Sequence, residues 1–345
     1  MRAMEISAAG FGVKNLRLIE TEHPTPGPGE VLLEMHAASL NYRDLLMVQG
    51  HYNPRQPLPL VPCSDGVGTI VACGSAVVDW TVGQRACPVF ASGWRDGPPT
   101  PQTLRHTRGG PLHGTLSTHM VVAAADLVAP PEHFSHAEAA CLPCAALTAW
   151  SALKTLGNLQ PHERVLIQGT GGVALFALQI AVACGAQVIQ TSSSDERLAF
   201  ARSLGAWEGI NYQTTPRWGR AVRSLTEGQG VDHIIELGGA GTLSESMQAI
   251  RPGGTISMIG VLAGGRAPVD ITPLLMRQIK VQGVFVGHQS GFVALCDFLR
   301  AHTDIRPVIS AAHPLEDAQS GLQRLQQGGH LGKVVIDLSE TGSAH

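Results

Sequence analysis

The residues with the plainest chemical capability are Gly169-Thr170-Gly171-Gly172-Val173-Ala174, a G-x-G-x-x-A pattern. In such a turn the first glycine permits a tight bend, and the second lets backbone approach a pyrophosphate. A small last residue lets the following helix pack closely on its strand. The phosphate then sits on the helix N-terminus. A chain with 40 glycines produces such spacings by chance, so context decides. Val165 to Gln168 is a short, mostly apolar run suited to a buried parallel strand, Val173 to Cys184 reads as an apolar helix, and Gln187 to Thr191 as a second strand. Strand, glycine turn, helix and strand together predict a dinucleotide site.

The second strand ends Thr191-Ser192-Ser193-Ser194. A fold preferring NAD places Asp or Glu about 20 residues after the glycines, on the ribose hydroxyls. Asp195 and Glu196 come too late, and Ser193-x-x-Glu196 reads as a capping box opening the next helix. Hydroxyls in place of a carboxylate remove repulsion against a 2′-phosphate, which Arg197 and Tyr212 could contact. NADPH is therefore the expected cofactor. The competing reading makes Arg197 a solvated helix charge and Tyr212 a packing residue.

The elements that must position these residues are set by size and composition. The chain has 345 residues, enough for two domains with proper cores. Lys plus Arg is 24 against 27 for Asp plus Glu, so there is no basic field to hold a nucleic acid. No apolar stretch has the length of a membrane span, and the first residues lack the apolar core of a signal peptide. A cytoplasmic protein with a small-molecule substrate, and neither nucleic acid nor membrane as partner, is expected. Seven cysteines spread from Cys63 to Cys296 do not form a secreted disulfide framework. Cys141-Leu142-Pro143-Cys144 lies in an Ala/Leu-rich run and reads as small buried side chains.

Residues 1–125 read as short strands punctuated by Gly and Pro. They include Val31 to Ala37, delivered by the turn Pro24 to Gly29, and a short helix within Ser39 to Tyr52. Residues 93–114 are a polar insertion without apolar period, a lid or surface decoration. Helix begins at His136. After the glycine turn come the strand Ile234 to Leu237, the helix Leu243 to Ile250, and the strands Thr255 to Ile259 and Lys280 to Gly287. This alternation implies a parallel doubly wound sheet with its ligand at the carboxyl ends of the strands. Gly291 to Leu338 carries two helices and a last strand, and Glu340 to His345 reads as a frayed tail.

Taken together, the chain resembles the medium-chain dehydrogenase/reductase superfamily over nearly its whole length. The landmarks are Pro28-Gly29-Glu30-Val31, Asn41-Tyr42-Arg43-Asp44, Ser64-Asp65-Gly66-Val67-Gly68, Leu147-Thr148-Ala149-Trp150, the nucleotide turn and Gly332-Lys333-Val334-Val335. The resemblance implies an α/β protein with a GroES-like β-rich catalytic domain, residues 1–125 and 290–345, and a doubly wound parallel Rossmann domain, residues 126–289. Zinc alcohol dehydrogenases of this superfamily have Cys where Asn41 falls and His where Ser64 falls. Only Cys144 keeps a possible ligand, and a catalytic zinc needs three. His113 and His119 are isolated and read as solvated, so no metal is expected.

Loss of zinc with Asn-x-x-Asp at the first ligand position resembles the quinone oxidoreductase branch. By that resemblance Gly169, Thr170, Gly171, Gly172, Val173 and Ala174 hold the pyrophosphate. Ser192, Ser193, Arg197 and Tyr212 surround the 2′-phosphate. Thr148, Gly260, Val261, Phe285 and Val286 lie beside the nicotinamide, and Lys333 reaches the cofactor. Relatives pair through the edge strand at Lys280 to Val286, which implies a homodimer. Asn41, Arg43 and Tyr52 are the candidate donors to a substrate oxygen, although Arg43 could instead pair with Asp44 or Asp65, and Tyr52 could only pack. The expected reaction is hydride transfer from NADPH to a quinone or to the β-carbon of an α,β-unsaturated carbonyl. Two rivals stand beside it: a zinc-free alcohol or aldehyde dehydrogenase using Tyr or Ser as proton donor, and an NADPH-binding protein with little turnover.

Overall fold

The computed structural model describes residues 1–339, and the stretch read as a frayed tail lies outside them. The chain forms two compact units, Met1–Leu147 with Gly287–His345, and Thr148–Val286. The first boundary falls at Leu147 rather than residue 125, because the helix His136–Ala139 packs on the strands Glu30–Leu40 and Asp65–Cys73 of the first unit.

The first unit is organised by Glu30–Leu40, which follows the Pro/Gly turn and pairs antiparallel with Asp65–Cys73, His119–Ala123 and Lys333–Asp337. Its inward side chains Val31, Leu33 and Met35 join Ile70, Met120, Val122, Val334 and Ile336 in one core. A strand not expected from sequence, Ile309–Pro314, adds to this seven-stranded sheet beside Lys333–Asp337. Two registers matter for chemistry. Ser39 stands opposite Asp65, and Leu40 opposite Val334. Antiparallel register then carries Lys333 alongside Asn41, where the strand gives way to the helix Tyr42–Val48.

The insertion at 93–114 is ordered by more than its composition suggested. It holds a turn of 3-10 helix, Thr103–Arg105, is bridged from Thr107 to Ala91, and buries Trp94 and Arg108.

The second unit is a six-stranded parallel sheet. Its order is Glu208–Asn211, Gln187–Ser192, Arg164–Gln168, Val231–Glu236, Ile250–Met258 and Lys280–Gly283. Chain direction across the sheet reverses between Arg164–Gln168 and Val231–Glu236, the switch point where doubly wound sheets bind ligands. Leu166, Ile189, Ile234 and Ile256 fill its interior. The last strand ends at Gly283, short of the expected Gly287. Beyond it the chain leaves the sheet, and Val286 takes a φ of 53°, an unusual backbone for a β-branched residue.

Candidate active site

In the second unit the glycine turn follows the carboxyl end of Arg164–Gln168. Gly169 has φ 74°, a conformation that side chains other than glycine rarely tolerate. Gly171 is the N-cap of the helix Gly172–Ala183 and offers no side-chain acceptor. A Cβ built on Gly169 or Gly171 would meet nothing within 4 Å. The first N–H groups of a twelve-residue helix, Gly172, Val173 and Ala174 among them, have no acceptor within the helix. Those features fit a pyrophosphate. Thr170 is buried in the turn.

The same edge of the sheet carries the other expected nucleotide residues. Ser192 ends its strand, its carbonyl accepts from the N–H of Tyr212 at 3.0 Å, and Arg197 donates to Ser193 Oγ at 3.0 Å. Ser192, Ser193, Arg197 and Tyr212 are thus brought together. The capping box is displaced: Ser194, not Ser193, caps the helix Asp195–Ser203, its Oγ accepting from Arg197 N at 3.4 Å. Ser192 remains in the sheet opposite Asn211, so the helix starts one residue later than its serine run suggested. Asp195 is held by Asn211 at 2.9 Å. Gly260 and the exposed Val261 follow Ile250–Met258, with Gly260 N donating to Glu236 O at 3.2 Å. Phe285 is half-buried, Val286 buried, and Thr148 buried at the start of the unit.

Sequence reasoning gave no function to Glu236. It ends Val231–Glu236, is fully buried, and its Oε1 accepts from Gly238 N and Gly239 N at 2.9 Å each and from Thr242 Oγ1 at 2.5 Å. Its Oε2 accepts from Gln168 Nε2 at 2.7 Å and from Ser246 Oγ. Gln168 Oε1 in turn accepts from Leu237 N and Gly238 N. The residue before the glycine turn is thereby tied to the loop after the neighbouring strand. A carboxylate closing an otherwise apolar strand was the available signal.

The first unit holds a second polar cluster. Asn41 is the N-cap of Tyr42–Val48, and its N–H donates to Asp44 Oδ2 at 2.8 Å. Its Nδ2 lies 3.4 Å from both Ser64 Oγ and Ser39 O. Lys333 is 3% exposed, and its ammonium donates to Leu40 O at 2.8 Å and to Asn41 Oδ1 at 2.5 Å, with Asp65 Oδ2 at 3.8 Å. Its ammonium is thus bound within this unit. Neither carboxylate oxygen of Asp65 makes a hydrogen bond of ordinary geometry, and burial pushes its pKa up to about 6 against the pull of Lys333.

Arg43 is committed as well. It donates to Arg108 O at 2.9 Å, pairs with Asp44 at 3.3 Å, and lies 4.8 Å from the Tyr52 ring and 4.9 Å from the Phe90 ring. The structural alternative for Arg43 holds, with Asp44 as its partner. Burial opposes its charge, but Asp44, Tyr52 and Cys144 outweigh that and hold its pKa above the ordinary value. Tyr52 is 40% exposed. His113 and His119 are not solvated singles: His113 Nδ1 accepts from Val61 N at 3.1 Å, and the His119 ring packs edge-on against His23.

A family model described as "Alcohol dehydrogenase GroES-like domain" matches residues 27–132, and one described as "Zinc-binding dehydrogenase" matches residues 172–301. A zinc-type alcohol dehydrogenase-like protein of Schizosaccharomyces pombe is 39% identical over 95% of this chain and 96% of its own length. The chain belongs to the medium-chain dehydrogenase/reductase superfamily.

Membership makes the chain an oxidoreductase with the two-part architecture expected, a GroES-like domain and a Rossmann-like parallel sheet. Among solved superfamily members, an NAD-dependent alcohol dehydrogenase matches at TM-score 0.90 with 31% identity, covering 98% of this chain and 100% of that one. A quinone oxidoreductase of Pseudomonas syringae matches at TM-score 0.84 with 25% identity, covering 98% and 100%.

The zinc named by one matching model finds a poor donor set at the corresponding positions. Asn41 offers its oxygen to an ammonium, Ser64 replaces an imidazole, and burial pushes the Cys144 thiol well above its usual range. Among the described residues, no group of three or more His, Cys, Asp or Glu is placed to hold a metal ion, and no helix is long and apolar enough to cross a membrane.

Proposed function

We propose that this oxidoreductase is NADPH-dependent and reduces a quinone or the activated double bond of an α,β-unsaturated carbonyl without zinc. The observation that carries the reading is the Asn41 site, where a carboxamide stands in place of a metal-binding thiolate, its oxygen on the Lys333 ammonium and its amide on long contacts with Ser39 O and Ser64 Oγ at 3.4 Å each. Bound at the glycine turn, NADPH would supply the hydride. As the β-carbon gains it, the double-bond electrons move toward the carbonyl oxygen, and that developing charge needs hydrogen-bond donors. Asn41 Nδ2 and the Tyr52 hydroxyl fill that role, and a proton from solvent completes the reduction. A saturated alcohol would need a Lewis acid or a placed proton donor at its oxygen. Ser192, Ser193, Arg197 and Tyr212 favour a 2′-phosphate over a free hydroxyl.

The likeness to an NAD-dependent alcohol dehydrogenase keeps one second reading in play, a zinc-free alcohol dehydrogenase. Steady-state assays with a quinone, an enone and a secondary alcohol decide between them, each with NADPH and NADH. The expected result is preference for NADPH, turnover of quinone or enone, activity that survives chelator, and weaker NADPH binding in Arg197→Ala. Secondary alcohols as the best substrates, or stoichiometric zinc by elemental analysis, would overturn it.

A further inference from the structure

We propose that Lys333 is a positioning residue. Its ammonium fixes the Asn41 carboxamide with the oxygen turned inward and the amide N–H bonds presented to the substrate oxygen. This rests on the role given to Asn41 above.

An ammonium has only donors, so the Asn41 atom facing Lys333 Nζ at 2.5 Å must be Oδ1. That charge-assisted contact removes the ambiguity of a side chain that could otherwise present either end. The other end is held loosely: Nδ2 donates to Ser39 O and Ser64 Oγ at 3.4 Å each, longer than a typical N–H···O bond, so a substrate oxygen would compete with weak acceptors. Backbone geometry is fixed independently, by Asp44 Oδ2 on the Asn41 N–H at 2.8 Å. Lys333 and Asp65 are buried while Asn41 is partly exposed, so the carboxamide is the accessible end of the cluster. Asp65 at 3.8 Å supplies the counter-charge a buried ammonium requires. Without Lys333 the carboxamide can turn over, and a carbonyl oxygen gaining charge would meet acceptor lone pairs instead of donors.

Removing Lys333 alone would strand Asp65, so the test uses Lys333→Met with Asp65→Asn, which removes both charges together. Turnover of the wild type's best acceptor should fall about a hundredfold, the cost of losing one oxyanion donor, while NADPH affinity stays near the wild-type value. In an Asn41→Ala background the same pair should cost nothing further. Unchanged turnover, equal loss of NADPH affinity, or an additive loss on top of Asn41→Ala would each overturn the proposal. The wild-type substrate profile tests the reaction separately: if a secondary alcohol is preferred, that reading fails, and the variant ratio on the alcohol still reads Lys333. Selective 15N labelling of asparagine, assigned with Asn41→Ala, reports without turnover. The Asn41 side-chain amide shifts should move in the paired variant as the carboxamide loses its fixed orientation, and identical signals in both would overturn it.

Discussion

At the scale of single residues, the functional groups differ in how free they are. Tyr52 is exposed enough to meet a substrate, and its ring rests on an Arg43 guanidinium already engaged elsewhere. Tyr52→Phe keeps that ring contact and removes only the hydroxyl. Turnover should drop by a factor of about 10² to 10³ with little change in cofactor affinity, and steady-state kinetics beside fluorescence titration would read both. A variant with full activity would return Tyr52 to packing. A second residue-level outcome concerns pH. His36 and His136 stack with centroids 4.2 Å apart and planes 11° from parallel, and His36 Nε2 lies 2.8 Å from Thr69 Oγ1. Burial, then His36 and Arg85, lower the His136 pKa to about 4, against a weak pull from Asp337. The folded state therefore binds fewer protons than the unfolded one between about pH 4 and 6.5, so this stability is present above that window and lost as pH falls through it. Asp65, raised to about 6, acts with the opposite sign over much of the same range. The pair partly cancel in the wild type. His136→Gln should lose less Tm than the wild type between pH 7 and 4.5, and parallel Tm curves would rule the assignment out.

At the scale of elements, the glycine turn was legible because each of its requirements is local: a left-handed bend at Gly169, an uncapped N-terminus at Gly171, and small residues after it. The cap at Ser194 slipped by one from its expected place, since three serines in a row satisfy the pattern and only the pairing of Ser192 with Asn211 selects among them. Lys333 and Arg43 were less legible. Their partners lie far along the chain, at Leu40, Asn41 and Asp65 for one and at Arg108 for the other, and only the strand registers bring them together. Glu236 is the sharpest case, because its donors come from Gln168, the Gly238–Gly239 turn, Thr242 and Ser246. Each buried donor left without an acceptor costs about 1–3 kcal/mol, so Glu236→Ala should lower unfolding stability by about 3 kcal/mol or more. Denaturant unfolding would measure this. A loss typical of a surface change would mean that the network relaxes around the gap.

At the scale of the whole molecule, the unanswered surface is the outer edge of the parallel sheet. Lys280–Gly283 pairs on one side with Ile250–Met258 and is the last strand in the order, and all four of its residues are exposed. An uncovered edge presents unpaired N–H and C=O groups to another chain. Beside it in sequence, Ile271, Leu275 and Met276 are 69%, 78% and 74% exposed, large apolar side chains with nothing over them. Those features meet in one arrangement. Identical edge strands related by a two-fold axis run antiparallel and can exchange ladder hydrogen bonds, and in such a pair a second copy would cover the apolar helix Thr272–Met276. The expected species is a two-fold homodimer with a continuous sheet across the interface. Light scattering at micromolar concentration should give twice the chain mass. Leu275→Asp with Met276→Asp buries charge in that interface without touching the core of either unit, so it should shift the mass toward the single chain while leaving the glycine turn able to bind NADPH. A wild-type monomer at that concentration, or a dimer indifferent to both aspartates, would place the contact elsewhere or nowhere.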